Sequence, residues 1–337
     1  MGPAPMVTPN RQMLRVSVAV ACSSVCALGL VAVPAAPTWA ADAITAADQP
    51  YFSYYHLDQA RAKGYTGEGV TVAMIDGPVD VESPELSSAR ITDKSPCTVN
   101  ASAESKSHGT VVASVLVADG YGVAPEISLL TYTNVDKTSV PGNDCMTAGG
   151  LDLTSNASLI NHAINDGASL IVNTTGSLDH GNGLKWAVAR AVSQGVIITD
   201  AIGNEARDET RTGLSYWSGV VGVSAVDTNG ARTSYSSWGQ GVAVAAVGGP
   251  VTMRQYPSTS LVQTNGTSVS APIVAGFLAM ARQKWPDATS NQLLQLLVHT
   301  TVNPDGGWNQ YTGYGVASPA TMMNTDPSQY PDVNPLA

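Results

Sequence analysis

Short runs of consecutive apolar residues, separated by stretches with a helical pattern, constrain the fold of this chain more than any other feature. A strand that is apolar at every position is typical of a sheet covered on both faces. Regular alternation of such strands with helices indicates a mostly parallel sheet between two helical layers. We therefore predict an α/β fold of three layers, α/β/α.

The predicted strands are residues 70–75, 127–132, 169–173, 196–202, 220–226 and 242–247, and the predicted helices are 109–118, 155–166, 183–194, 272–284 and 292–299. We expect Ser290 to cap the last helix and Pro272 to lie in a first helical turn, where proline is tolerated. The sequence contains no internal repeat or low-complexity linker. We therefore predict a single domain over residues 51–320, followed by a C-terminal surface tail, 321–337.

The first forty residues have the layout of an export signal. Arg11 and Arg15 precede an apolar run, 16–33, and small residues follow up to Ala40. We predict a secretory signal peptide over residues 1–40, cleaved after Ala40, and then a short N-terminal extension, 41–60. An apolar run of this length can also just span a bilayer, so a retained membrane anchor is the alternative.

Composition limits the partners of the chain. Only 12% of the residues are charged, and the net charge is −10 at pH 7. This balance argues against nucleic-acid binding, which depends on clustered basic residues. We expect a secreted monomer that binds neither nucleic acid nor, once the signal is cleaved, a membrane.

The four cysteines divide into two pairs. Cys22 and Cys26 lie in the predicted signal peptide, whereas Cys97 and Cys145 remain as an even pair in an oxidising compartment. We predict one disulfide, Cys97–Cys145. Two free buried thiols are the alternative, and a zinc site built from two isolated cysteines is less favoured.

Polar residues with catalytic potential lie where open α/β sheets bind ligands, at the carboxyl ends of the strands. Asp76 ends the first predicted strand, and Asn204 follows the strand 196–202 with a side-chain amide donor. His108 precedes a helix, and Ser268 lies in a glycine turn before another, where the field of the helix N-terminus favours developing negative charge. Each feature alone could be an ordinary turn or cap, but the four in this order are specific.

The combination resembles the subtilisin-like serine peptidases, or subtilases. The shared motifs span nearly the whole chain after the signal: GYTGEGV at 64–70, HGT at 108–110, GVAP at 122–125, GNE at 203–205, YSSWG at 235–239, and GTS at 266–268 with Pro272 and Gly276. The resemblance implies a subtilisin-like fold and hydrolysis of peptide bonds in a protein or peptide substrate, with no cofactor.

By this resemblance Ser268 is the nucleophile, and Asp76 orients His108. His108 takes the proton of the Ser268 hydroxyl and later gives it to the leaving amine. Asn204 and the backbone N–H of Ser268 would form the oxyanion hole. The chain order Asp, His, Ser is that of subtilisin. No metal ligand is expected, because residues 119–121 are too few for the calcium-binding loop of many relatives.

Three departures from the family pattern stand out. Gly77 and Pro78 replace the usual Ser/Thr-Gly after the catalytic aspartate, and residues 175–177, Thr-Gly-Ser, replace Ser-Leu-Gly at the substrate-binding edge. Asp200 lies within a predicted strand where the family prefers a small apolar residue. We expect hydrogen bonds from nearby hydroxyl or backbone groups to satisfy this carboxylate, since an unpaired buried one is costly; a role in the primary specificity pocket is the alternative.

Several other functions are compatible with parts of the sequence. The short extension and the cysteine pair are loosely similar to the mycosin branch, although we expect no C-terminal membrane helix here. A dedicated maturation protease and a non-catalytic binding module of protease descent are alternatives to a general endopeptidase. The sedolisin type shares the Gly-Thr-Ser turn but has acidic groups where this chain has His108 and Asn204.

Overall fold

The sheet predicted from the apolar runs forms the centre of the protein. The computed structural model describes residues 43–134, 145–176, 181–209, 213–303 and 306–337, so the predicted signal peptide lies outside the described residues. Among these residues seven strands form one sheet, in which every neighbouring pair is parallel. The three-layer α/β prediction is confirmed.

The strands of this sheet are β1 (Thr71–Asp76), β2 (Arg90–Asp93), β3 (Ser128–Thr133), β4 (Leu170–Asn173), β5 (Ile197–Ala201), β6 (Val220–Val226) and β7 (Val242–Val247). Their order across the sheet is β2-β3-β1-β4-β5-β6-β7. A separate antiparallel hairpin consists of β8 (Val251–Arg254) and β9 (Leu261–Thr264). The helices are α1 (Pro50–Tyr54), α2 (Leu57–Ala62), α3 (Ala103–Val117), α4 (Asn156–Asn165), α5 (Asn182–Ser193), α6 (Thr267–Lys284), α7 (Ser290–His299) and α8 (Pro319–Met323).

Burial on both faces explains why the strands are apolar at consecutive positions. In β1, Val72 and Met74 join a core that also contains residues of α3 and α6, whereas Ala73 and Ile75 join a second core with residues of α4 and α5. Of the three strands that the sequence did not predict, β8 is mostly buried, with residues that alternate between apolar and polar types, whereas the other two lack burial on both faces. The edge strand β2 is mostly exposed, and β9 alternates between exposed and half-buried positions.

Three predicted helix starts are wrong. The helix predicted over 109–118 begins at Ala103, because Ser102 caps α3 by accepting the Ser105 N–H. His108 therefore lies inside α3 and does not precede it.

The starts of the last two predicted helices also differ from the prediction. Thr289, not Ser290, caps α7, because its side chain accepts the Gln292 N–H and Gln292 bonds back to it in a capping box. The helix α6 begins at Thr267, so Pro272 lies inside it rather than in its first turn. An internal proline removes one helical hydrogen bond.

The described part of the N-terminal extension is packed into the first core. Tyr51 and Tyr55 are buried. The Tyr51 hydroxyl donates to the Tyr121 carbonyl at 3.1 Å, and the Tyr55 hydroxyl accepts the Val247 N–H at 2.9 Å. These bonds join residues 43–60 to the body of the domain, while the domain boundaries themselves stay a prediction.

The C-terminal residues run along the surface and are held by specific bonds. The Val333 carbonyl accepts from Gln295 at 2.8 Å, and the Asp332 carboxylate accepts from Thr289 at 2.7 Å. His299 stacks on Tyr330 with 5.2 Å between the ring centroids. In the part of the chain that the structure describes, every helix is too short or too polar to cross a bilayer.

Candidate active site

Chain topology brings four predicted residues to the carboxyl edge of the sheet and to two helices beside it. Asp76 is the last residue of β1, and Asn204 follows β5. His108 lies in the second turn of α3, and Ser268 is the second residue of α6. The helices α3 and α6 pack together on the same face of the sheet.

Asp76 and His108 are in direct contact. The Nδ1 atom of His108 lies 2.8 Å from Oδ1 of Asp76, whose side chain is fully buried, while the His108 side chain keeps 32% of its surface exposed. The backbone N–H of Gly77 donates to Oδ1, and the hydroxyl of Thr174 donates to Oδ2. A carboxylate held in this way orients the imidazole and stabilises its protonated form.

The electrostatics of Asp76 favour its ionised form. Burial alone would raise the pKa of this carboxyl, but attraction to His108 and the hydrogen bonds from His108, Thr174 and Gly77 outweigh burial and hold the pKa below its ordinary value of 3.8. Asp76 therefore carries its charge throughout the neutral range.

Ser268 and Asn204 face the same space across Gly266. A Cβ atom placed on Gly266 would lie 3.1 Å from the Ser268 hydroxyl oxygen and 3.1 Å from the Asn204 Nδ2 atom. The glycine has φ +159°, and its missing side chain leaves this space open beside both groups. Ser268 is half-buried and Asn204 is exposed, so a bound molecule can reach them.

Thr267 orients the Asn204 amide. The Asn204 Oδ1 atom accepts the Thr267 backbone N–H at 2.8 Å and its hydroxyl at 3.1 Å. The same hydroxyl accepts the Gly203 N–H at 3.2 Å. Because Oδ1 is engaged on the Thr267 side, the Nδ2 donors point toward the opening beside Ser268, as a group that stabilises an oxyanion must.

The sequence did not single out Thr174 or the role of Thr267. Thr174 follows β4, which is paired with β1, so its hydroxyl reaches the Asp76 carboxylate across the sheet. The available signal was a residue with a hydroxyl group directly after a predicted strand. Such a residue can reach the end of a neighbouring strand, here the one that ends at Asp76. Thr267 lies within the quoted Gly-Thr-Ser motif, but its contact with Asn204 spans 63 positions in sequence.

The unusual turn after Asp76 is built by close approach of two glycines to α3. A Cβ on Gly77 would lie 2.4 Å from the Ser105 carbonyl oxygen, and a Cβ on Gly109 would lie 2.3 Å from the Gly77 carbonyl oxygen. Any side chain at either position would force this backbone apart. The Gly77-Pro78 departure thus seats the turn directly against the helix that carries His108.

The predicted disulfide is confirmed. Cys97 and Cys145 are bonded, with their Cα atoms 6.1 Å apart. The bond links the segment between β2 and α3 to the segment before α4. Since α3 carries His108, the disulfide restrains the approach to that helix.

Asp200 is fully buried and hydrogen-bonded, as expected from the cost of an unpaired carboxylate. Its Oδ1 atom accepts from the Asn173 Nδ2 at 2.7 Å, and Oδ2 accepts the Ser215 backbone N–H at 2.8 Å. The partners are thus an amide and a backbone group. At the substrate edge Thr175 is buried, and Ser177 lies outside the described residues.

Metal ligands do not cluster in the described parts of the chain, where no group of three or more histidine, cysteine or carboxylate side chains could hold an ion. The expectation that this chain has no structural calcium stays a prediction.

This chain is similar to known proteins in both sequence and structure. Residues 67–315 match the model of the Subtilase family, Peptidase_S8. A thermostable alkaline protease of Halalkalibacterium halodurans is 31% identical over 259 residues, which are 74% of this chain and 66% of that protein. Subtilisin E of Bacillus subtilis is 30% identical, over 73% of this chain and 65% of its own length. The chain thus spans just under two thirds of each.

Mycosin-1 of Mycolicibacterium smegmatis is 29% identical, over 86% of this chain and 76% of the relative. The crystal structure of MycP1 from the ESX-1 type VII secretion system superposes with a TM-score of 0.65 at 25% identity, covering 86% of this chain and 88% of that one. The family model covers more than half of the chain and includes all four residues of the candidate site. The chain belongs to the subtilase family.

Proposed function

We propose that this protein is a secreted serine endopeptidase that hydrolyses peptide bonds through an acyl-enzyme. Ser268 attacks the carbonyl carbon, and His108 takes the serine proton and later gives it to the leaving amine. Asp76 keeps the His108 imidazole oriented. Asn204 Nδ2 and the Ser268 backbone N–H donate to the oxyanion of the tetrahedral intermediate.

This proposal depends on one observation: two sets of contacting polar groups lie at the carboxyl edge of the same sheet. One is the Asp76–His108 contact at 2.8 Å, and the other is the Ser268 hydroxyl beside the Asn204 amide across Gly266. An oriented base, a hydroxyl and a fixed donor are the parts that acyl transfer requires. Family membership and the protease names of the relatives support the same reaction.

Active-site labelling tests the chemistry directly. A fluorophosphonate probe should label the wild-type protein, and Ser268→Ala should lose both labelling and peptide cleavage. The expected loss of kcat is on the order of 10⁶, a size of effect taken from subtilisin itself, a relative of this chain. The measurements are probe incorporation and the rate of peptide hydrolysis.

Ser270→Ala is the matched control, because it removes a hydroxyl from the same helix that bonds to the Ala246 carbonyl at 3.1 Å. It should keep labelling and cleavage. A folded wild-type protein that neither reacts with the probe nor cleaves peptides would contradict the enzyme proposal and favour a binding module. Cleavage of casein at many sites fits an endopeptidase, whereas one cut in one secreted protein would indicate a maturation protease.

Secretion is supported by the signal-like order of residues 1–40 and by the Cys97–Cys145 bond, since disulfides persist in oxidising compartments. N-terminal sequencing of protein recovered from the culture medium should begin at Ala41. Protein that keeps residues 1–40 and sediments with membranes would contradict cleavage and indicate the anchored alternative.

A further inference from the structure

Polar side chains form a buried chain along the carboxyl edge of the sheet, beneath the candidate active site. The members of this buried polar chain are Asn134, Asn156, Thr175, Asn173 and Asp200, and each is at most 8% exposed. They lie after β3, at the start of α4, after β4, at the end of β4 and in β5. Buried polar groups of this kind rigidify a structure when every member has a partner.

Hydrogen-bond contacts link the members of the buried polar chain from Asn134 to Asp200. Asn134 donates to Asn156 at 3.1 Å, and the Thr175 hydroxyl lies 3.2 Å from Asn156 Oδ1 and 2.9 Å from Asn173 Oδ1. Asn173 Nδ2 then donates to Asp200 at 2.7 Å. Asp200 is the one member that carries a charge, and as an ionised group it accepts stronger hydrogen bonds than a neutral one.

The buried polar chain is connected to Asp76 through both neighbouring strands, β3 and β4. On the β3 side the Asn134 backbone N–H donates to the Asp76 carbonyl at 2.9 Å. On the β4 side Thr174, between Asn173 and Thr175, donates its hydroxyl to the Asp76 carboxylate. Any shift of the β4 end would therefore move a hydrogen bond on the Asp76 side chain.

Asp200 also holds a second segment. Its Oδ2 atom accepts the Ser215 N–H, and Gly213, with φ +75°, brings its backbone so near that an added Cβ would lie 3.5 Å from Oδ2. One carboxylate thus joins the end of β4 to the turn Leu214–Tyr216. Burial raises the pKa of Asp200 to about 6, although bonds from Asn173 and Ser215 act the other way, so the group is mostly ionised at pH 7.

We propose that Asp200 is a positioning residue of this site: by accepting from Asn173 and from the Ser215 N–H, it fixes the end of β4 so that Thr174 holds Asp76 and the backbone at 174–176 is set for substrate. This inference rests on the proposed peptidase function. It assigns Asp200 no contact with substrate.

Exchange of the amide and the carboxylate provides the test. In Asp200→Asn one oxygen becomes an NH₂ that faces a donor, and in Asn173→Asp two carboxylates face each other. The double variant Asn173→Asp/Asp200→Asn restores every bond: the new carboxylate accepts from the new amide and from Thr175, and the new amide oxygen still accepts the Ser215 N–H.

Kinetics should be measured per active site, counted by titration with the fluorophosphonate probe, so that unfolded molecules do not contribute. Each single variant should lose about 10- to 100-fold in kcat/KM, with kcat and KM both affected, and the double variant should return to within a few-fold of wild type. The loss should be uniform across a peptide library. Asp166→Asn is the matched control, because it alters a carboxylate at the end of α4 that accepts from the Tyr132 hydroxyl at 2.8 Å and is not a member of the buried polar chain.

Unchanged kcat/KM in Asp200→Asn, or a double variant no better than the single ones, would overturn the inference. A loss confined to one class of residue before the scissile bond would also overturn it and indicate a specificity role. If neither single variant yields titratable protein, Asp200→Glu takes their place, and again a lower kcat/KM supports the proposal and an unchanged one overturns it. A folded wild type that neither cleaves nor reacts would overturn the proposed function and this inference together.

Discussion

Two fully buried carboxylates lie on strands of the same sheet, yet their environments act in opposite directions. Asp76 on β1 has a pKa below its ordinary value, whereas burial raises the pKa of Asp200 on β5 to about 6. Both accept hydrogen bonds from neighbouring groups. The difference is His108, since a group of opposite charge offsets the loss of water that hydrogen bonds alone do not offset at Asp200.

The two buried carboxylates have different kinds of neighbours. At Asp76 the charge acts on His108, the residue that we propose transfers the proton. At Asp200 the groups that act on the carboxylate from the described elements around it are neutral, namely the Asn173 amide on β4, the Ser215 backbone and hydroxyl, and the Leu214 backbone. The charged side chains of the nearby helix α5 are engaged elsewhere, Lys185 over Trp186 and Arg190 with Asn161 and Asn165.

The largest expected effect is the loss of kcat when the charge of Asp76 is removed. Asp76→Asn should lower kcat on the order of 10⁴, as the equivalent change does in another serine protease triad, because an amide donor facing Nδ1 favours the wrong imidazole tautomer. Steady-state kinetics on titrated enzyme measure this loss. Asp166→Asn should leave kcat unchanged, and an Asp76→Asn enzyme within 10-fold of wild type would remove Asp76 from the proposed mechanism.

A smaller effect is expected from Asp200, on the pH dependence of the free energy of unfolding. A carboxyl whose pKa is raised on folding contributes stability below its unfolded pKa and loses it as the pH rises through its folded pKa. On going from pH 7 to pH 4, Asp200 should therefore add about 2–3 kcal/mol to the free energy of unfolding. Asp76 has the opposite sign, and its contribution is lost only as the pH falls below its ordinary value.

Chemical denaturation at pH 7 and pH 4 measures this difference. Asp200→Asn should lack the gain that Asp200 gives the wild type on acidification, while Asp76→Asn should keep it. Equal pH dependence in wild type and Asp200→Asn would mean that folding does not raise the pKa of Asp200, and the contrast between the two carboxylates would be lost.

Much of the fold was predictable because it depends on local patterns. Consecutive apolar residues such as Val72, Ala73 and Met74 indicated a sheet buried on both faces, and they do face two cores. The edge strand Arg90–Asp93 and the strand β9 were missed, since partly exposed strands lack that pattern. The strand β8 was missed because its four residues, Val-Thr-Met-Arg, alternate between apolar and polar types. The start of α7 was misplaced although the Thr289 and Gln292 capping box was present in the sequence.

The sequence alone determined the fold class, the order of Asp76, His108, Asn204 and Ser268 along the chain, and the pairing of the two cysteines outside the predicted signal. Only the tertiary structure decided how these residues are held. Thr174 reaches Asp76 from 98 positions away, and Thr267 reaches Asn204 from 63. Local pattern reports which face of a strand is buried, whereas hydrogen bonds depend on which strands are neighbours. For that reason Asp200, an anomaly in the sequence, becomes in the structure the charged end of the buried polar chain at the candidate active site.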